Sequence, residues 1–360
     1  MDPDKKRKVK RRRWLVAIVL VAVLFGLGQI VLDNFREEEK ALRQHFRETV
    51  AETFPEQAAS VYASFGLRPY GQKPLPQTTG ERQRPDIVLI HGLDDPGRIW
   101  MNLAPALSPR EFRVWIMTYP NDQPVNESAR FFTTEMRVLH TRGITKVIVV
   151  AHSMGGLVSR QMLTDPGIDY SGQVEAGRVP AVISLIMVGT PNNGSELARL
   201  RGFTELRDQL TRLAEGDGHW LGGILDGAGE AKLDLLPGSH FLKTLNARPH
   251  PEGTAMLVIA GIATPWRDTE IETLADSLQE HAPESMHPII TDLQDILQSM
   301  THGLGDGLVT VDSARLEGVP LVTVSGTHLS IIRNLSESSD RLPPAIPIII
   351  DRIRRYSKNY

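Results

Sequence analysis

The sequence contains no cysteine, which excludes a disulfide framework, a thiolate zinc site, an iron–sulfur cluster, a cysteine nucleophile and lipid attachment at cysteine. It also lacks an excess of positive charge over most of its length. The formal net charge is −3, but residues 1–13 hold eight Lys/Arg (Lys5, Lys6, Arg7, Lys8, Lys10, Arg11, Arg12 and Arg13) against Asp2 and Asp4. Everything after residue 13 therefore carries −9, the wrong sign for a surface that holds phosphates, so no nucleic-acid partner is expected. Internal repeats are missing too. What is present is 41% apolar and 23% charged residues over 360 positions, enough apolar material for one large domain or two small ones and too much for a disordered or fibrous chain.

Trp14 to Leu32 reads WLVAIVLVAVLFGLGQIVL, nineteen residues without a formal charge. As a helix at ~1.5 Å per residue this segment matches the ~30 Å hydrocarbon layer of a bilayer. No small-x-small cleavage site follows it, since the exit reads Gln29-Ile30-Val31-Leu32-Asp33-Asn34, and the segment is read as an uncleaved signal anchor. Residues 1–13 then form a basic cytoplasmic segment and residues 14–32 a single transmembrane helix. By the positive-inside rule everything after Leu32 lies on the non-cytoplasmic side, facing the periplasm from the inner membrane if the cell is Gram-negative. Lys5–Arg13 alone also fits a nuclear localisation run, but such a signal has no use for an adjacent charge-free nineteen-mer. Residues 33–85 read as a juxtamembrane helix to about Phe65, with Phe35, Leu42, Phe46, Val50 and Phe54 on its apolar side, followed by a Pro/Gly-rich linker from Tyr70 to Pro85.

From Asp86 onward short, continuous apolar runs alternate with helical patterns: 87–90, 114–117, 146–151, 182–188, 255–260 and 320–324 as strands, with helices over about Glu127–Thr141, Met154–Leu163 and Ala345–Tyr356. Unbroken apolarity means strands buried on both faces. The alternation predicts an α/β domain over 86–360, a mostly parallel sheet with helices on both faces. Two long stretches interrupt the rhythm, about 194–253 and 264–303, and are read as cap insertions. The first is rich in leucine, including Leu235, Leu236, Phe241 and Leu242. Such a cap suits an acyl chain and suits ordinary packing against the sheet equally.

The chemistry concentrates in VIVVAHSMGGLVSRQML, 147–163: a buried strand, a turn with Ser153 at its tip, then an amphipathic helix. This is the context of a nucleophile elbow, in which the serine sits in a strained backbone and only small residues fit on either side. Ala151 and Gly155 meet that demand, and Gly156 lets the helix approach the sheet. A serine nucleophile needs an imidazole and a carboxylate later in the chain. Eleven histidines are available. Asp306 stands on a Gly-flanked loop at the sheet's carboxyl edge, and Asp312, six residues on, is its rival, with a helix N-cap as the alternative use of Asp312.

With AHSMGG, IVLIHGL (87–93), VGTPNNG (188–194), LLPGSHFL (235–242), GDGLVTVDSA (305–314) and GTHLS (326–330), the chain over about 85–335 resembles the α/β-hydrolase superfamily. The resemblance is to its lipase-like branch: bacterial triacylglycerol lipases, and GPI inositol-deacylase-like or lecithin–cholesterol acyltransferase-like esterases. It implies an α/β-hydrolase fold with an inserted cap and a triad of Ser153, Asp306 and His328. It also implies an oxyanion hole built from the backbone N–H groups of Leu93 and Met154, with His91, Gly92, His152 and Gly155 as supporting motif residues. Neither a cofactor nor a metal is expected. The expected function is a membrane-anchored serine hydrolase of carboxylic esters, with a lipid or other hydrophobic acyl ester as its partner. An acyltransferase or amidase with the same triad, and a non-catalytic anchored scaffold, are the alternatives.

Overall fold

The computed structural model describes residues 63–71, 84–93, 97–107, 112–121, 123–195, 231, 234–263, 268–281, 287, 290–291, 294, 305–334, 336 and 339–357. In chain order the strands are β1 (Gly66–Pro69), β2 (Asp86–Ile90), β3 (Val114–Thr118), β4 (Lys146–His152), β5 (Ala181–Val188), β6 (Ala255–Ile262) and β7 (Leu321–Ser325). The helices that matter below are α1 (Leu103–Ala106), α2 (Val125–Thr141), α3 (Met154–Thr164), α4 (Tyr170–Glu175), α5 (His240–Asn246), α6 (Asp268–His281), α7 (Val311–Ala314) and α8 (Ala345–Ser357). The strands form one sheet in the order β1-β3-β2-β4-β5-β6-β7. All neighbours are parallel except β1, which runs antiparallel to β3 with Gly66 opposite Thr118. Parallel neighbours bring the carboxyl ends of β2, β4, β5, β6 and β7 to one edge, where loops gather.

Side chains alternate across a strand, so a strand apolar at every position needs cover on both faces. On one face Val88 and Ile90 of β2, Val147, Val149 and Ala151 of β4, and Val258 and Ala260 of β6 join α2 and α3 in one core cluster. On the other face Ile87, Leu89, Ile148, Val150, Leu257 and Ile259 pack with α1 and α8. Helix α2 supplies Val125, Ala129, Phe132, Met136 and Leu139 to the first cluster, spaced 4, 3, 4 and 3 as a one-sided helix requires. Ala345, Ile346, Ile349 and Ile353 of α8 do the same for the second.

Two differences from the sequence reading emerge. The domain boundary expected at residue 86 leaves out β1, which lies in the stretch read as juxtamembrane helix and linker. An edge strand is paired on one side only, and Gly66-Leu67-Arg68-Pro69 carries neither a continuous apolar run nor strict alternation; Pro69 is tolerated because it ends the strand at the edge. Within the insertion read as a cap over 194–253, Leu235, Phe241 and Leu242 belong to the first core cluster, so α5 is part of the domain's packing. Among the described residues no helix is long and apolar enough to cross a membrane. The basic segment 1–13, the anchor 14–32 and the juxtamembrane segment up to 62 lie outside the described residues, as do residues 196–230 and most of 282–304.

The placement of α2 is tested by truncation. Phe132 is fully buried whereas Val138, on the same helix, is 38% exposed. Phe132→Ala is expected to lower unfolding free energy by about 3–5 kcal/mol, and Val138→Ala by less than about 0.5 kcal/mol. Urea unfolding midpoints compare the two directly, and equal effects would place α2 wrongly.

Candidate active site

Ser153 joins β4 to α3 and adopts φ 54° and ψ −130°, a region closed to most L-residues and worth about 1–3 kcal/mol of strain. Three hydrogen bonds to its backbone hold it there. Its N–H donates to Val188 O at 2.8 Å, and its carbonyl accepts from Gly156 N–H at 3.0 Å and from Thr190 Oγ1 at 3.0 Å. Ala151 is completely buried. A Cβ at Gly155 would sit 2.5 Å from Ile90 O and 2.6 Å from His91 O, so the start of α3 can lie over the end of β2 only with glycine there. The expectation of small residues around the elbow thus has a definite cause, the backbone of the neighbouring strand.

His328 and Asp306 meet on the loops that follow β7 and β6. His328 Nδ1 donates to Asp306 Oδ2 at 2.7 Å, and His328 N–H donates to Asp306 O at 2.9 Å. The other carboxylate oxygen, Oδ1, accepts from Leu308 N–H at 2.9 Å and Val309 N–H at 2.8 Å. Asp306 is 2% exposed and His328 6%, so the carboxylate is buried but fully engaged. Asp312 is elsewhere: its side chain is 81% exposed and faces only Arg315, at 3.9 Å. Nor is it the cap of α7. That part is taken by Thr310, whose hydroxyl accepts from Ser313 N–H at 3.0 Å, leaving Asp312 in the first turn, where a carboxylate suits the helix dipole.

The end of β2 supplies the other wall. A Cβ at Gly92 would lie 2.6 Å from Ser153 Cβ, which brings the strand carrying His91 directly against the elbow. His91 Nδ1 donates to Gly92 O at 2.7 Å, its ring stacks on Tyr119 at 4.8 Å, and Tyr119 O–H donates to His91 O at 2.8 Å. Leu93 follows in the turn, half-buried against the first core cluster, and residues 94–96 lie outside the described residues. Met154 is the first residue of α3, so its N–H has no carbonyl within the helix and sits at the positive end of the helix dipole.

His152 is the last residue of β4 and is buried beside His328, with ring centroids 4.7 Å apart and a 51° tilt. Its Nε2 lies 3.0 Å from His328 O. A carbonyl only accepts, so Nε2 carries the proton. Burial first, and then the neighbouring His328, hold the His152 imidazole well below the usual histidine range, which keeps it neutral.

Sequence reading assigned no roles inside VGTPNNG, and that loop proves to be a hub. Gly189, at φ 59°, leaves room for the pair behind it: a Cβ there would lie 3.1 Å from both Asp306 Oδ2 and His328 Nδ1. Thr190 grips the Ser153 carbonyl. Asn192 Nδ2 donates to Ala314 O at 2.7 Å, Asn193 Nδ2 to Arg315 O at 2.9 Å and Ser195 Oγ to Leu308 O at 2.6 Å. The available signal was a Gly-Thr pair directly after a buried strand.

Because the folded-state proton affinity of His152 is depressed, the unfolded chain binds more protons at this position once pH falls below the ordinary histidine value of 6.5. The associated stability is therefore present above about pH 6.5 and is lost as pH falls toward the folded value, by at most about 1.4 kcal/mol per pH unit. The stability advantage of the parent over His152→Gln is expected to shrink between pH 7.5 and 5.5 in urea unfolding. An advantage independent of pH would show that the ring titrates normally.

The profile of the alpha/beta hydrolase family matches residues 87–331, more than half of the chain. A triacylglycerol lipase of Pseudarthrobacter phenanthrenivorans is 27% identical over 122 residues, covering 31% of this chain and 34% of that protein. A triacylglycerol lipase of Burkholderia plantarii is 27% identical over 122 residues, covering 31% of each. The chain thus spans about a third of the length of the curated relatives it matches. Among solved structures, the mature form of the Bacillus licheniformis lipase BlEst2 is 20% identical with a TM-score of 0.49, covering 80% of this chain and 97% of that one. By the match over 87–331 and the parallel sheet that carries it, the chain belongs to the alpha/beta hydrolase family.

Proposed function

We propose that the protein is a serine hydrolase of carboxylic esters in which Ser153, His328 and Asp306 form the catalytic triad. The observation that carries this reading is the buried 2.7 Å hydrogen bond from His328 Nδ1 to Asp306 Oδ2, with the His328 ring 4.7 Å from that of His152, the chain neighbour of the strained Ser153. Asp306 fixes the tautomer that leaves His328 Nε2 to accept the Ser153 proton as Oγ attacks the ester carbonyl. The negative charge that develops on the carbonyl oxygen is met by the N–H groups of Met154 and Leu93, each worth on the order of 3 kcal/mol. Collapse of the tetrahedral intermediate expels the alcohol, protonated by His328. Water, deprotonated by the same imidazole, then releases the acid from the acyl-enzyme.

The substrate class is a lipid or other hydrophobic acyl ester. Two things support it: the sequence relatives, both triacylglycerol lipases, and the leucine-rich stretch after Gly194. Residues 14–32, charge-free behind a +6 cluster, support a single transmembrane anchor that holds the domain on the non-cytoplasmic face of a membrane.

A fluorophosphonate probe is expected to label the protein, with labelling abolished by Ser153→Ala. A parent that resists labelling would instead favour a non-catalytic scaffold. Asp306→Asn is expected to lower turnover of a p-nitrophenyl ester by on the order of 10⁴ while the protein remains folded. Undiminished turnover would remove Asp306 from the triad. Release of acid rather than transfer to an added alcohol separates a hydrolase from an acyltransferase.

A further inference from the structure

His328 has four polar groups, and three are tied within the fold. Its backbone N–H and its Nδ1–H both go to Asp306, at 2.9 Å and 2.7 Å. Its backbone carbonyl accepts the Nε2–H of His152 at 3.0 Å. The fourth, Nε2, is the atom that must face the nucleophile. Asp306 sets the direction of the ring, and the loop after β5 ties the Asp306 segment to the elbow through Thr190, Asn192 and Ser195. The His152 bond is a direct tie on the His328 side, because His152 is covalently adjacent to Ser153.

The two residues it connects lie 176 positions apart. At its own end His152 is fixed by strand pairing, opposite Val188 in β5. The ring is buried and stacked at an angle on the imidazole it positions, 4.7 Å away. We propose that His152 is the positioning residue that fixes the spacing between nucleophile and base. Its ring acts as a neutral Nε2–H donor to the backbone of His328. The inference rests on the triad reading above and adds a residue to it.

The test uses the full-length protein in detergent, with p-nitrophenyl ester turnover and the rate of fluorophosphonate labelling at Ser153 as readouts. His152→Leu removes the donor, His152→Asn shortens it, and His152→Gln keeps an amide N–H near the place of the ring Nε2. His152→Leu and His152→Asn are expected to lower kcat and the labelling rate about 10- to 100-fold, the scale of a misplacement near 1 Å, with KM changed less than about 2-fold. His152→Gln is expected to restore kcat to within about 5-fold of the parent, because the hydrogen bond and not the ring carries the effect. Parent-like kcat in folded His152→Leu overturns the proposal, and so does a folded His152→Gln that is as slow as His152→Leu. Histidine-selective ¹⁵N spectra of the unmutated protein decide the matter if the variants do not fold: His152 in the Nε2–H form supports the proposal, and the Nδ1–H form overturns it. A parent that neither turns over ester nor takes the probe defeats the triad reading and this inference together. An active parent with an indifferent residue 152 defeats the inference alone.

Discussion

Burial of the Asp306 carboxylate is the constraint around which the site is built. An ionised group at 2% exposure is tolerated only if its lone pairs are occupied, since an unpaired buried charge costs several kcal/mol. Three N–H groups meet that demand, from Leu308, Val309 and the ring of His328. Two of them can point at one oxygen only if the chain turns sharply just after residue 306, and Gly307 at φ 89° permits the turn. The third requires the loop after β7 to cross over the loop after β6, and the bond from His328 N–H to Asp306 O seals that crossing. A buried carboxylate thus dictates the path of two loops.

The loop after β5 then ties this pair to Ser153. Thr190 reaches the Ser153 carbonyl, while Asn192, Asn193 and Ser195 reach carbonyls between Leu308 and Arg315. Behind it Arg160 of α3 donates to Asn192 Oδ1 at 3.0 Å and Asn246 Oδ1 at 2.9 Å. Its guanidinium is lowered to about 10 by burial and by Arg248 and remains charged at neutral pH. Helix α3, the β5 loop and the segment after Asp306 are therefore one hydrogen-bonded body. Distortion of any of them moves Ser153 with respect to Asp306.

Much of this was legible in the residues, for identifiable reasons. Strands β2 to β6 announce themselves because burial on both faces demands continuous apolar runs, and α2 and α8 because one-sided burial demands a period near 3.6; β7, a half-exposed edge strand, shows only a short apolar run. The elbow is legible because Ala151 and Gly155 are constrained by the adjacent strand, and Asp306 because glycines flank it. Strand β1 escaped because a one-sided antiparallel edge imposes so little on Gly66-Leu67-Arg68-Pro69. Thr310 was passed over as the cap of α7 in favour of Asp312, since either residue type caps a helix and only the path of the chain decides. The link from His152 to His328 had no signature at all: its acceptor is a backbone carbonyl, identical in every residue, and composition carries no trace of it.

Strain at Ser153 and the bonds around it are of similar size, and that balance has a consequence. Holding φ at 54° costs about 1–3 kcal/mol, while the bonds from Ser153 N–H to Val188 O and from Thr190 Oγ1 and Gly156 N–H to Ser153 O return about 0.5–1.5 kcal/mol each. The elbow is held, with little to spare, by partners on β5, on the loop after it and on α3. The contact is also too close to admit larger neighbours, because a Cβ at Gly92 or Gly155 would collide with Ser153 or with the backbone at the end of β2. The strained serine therefore persists only while the packing of β2, β4 and β5 persists.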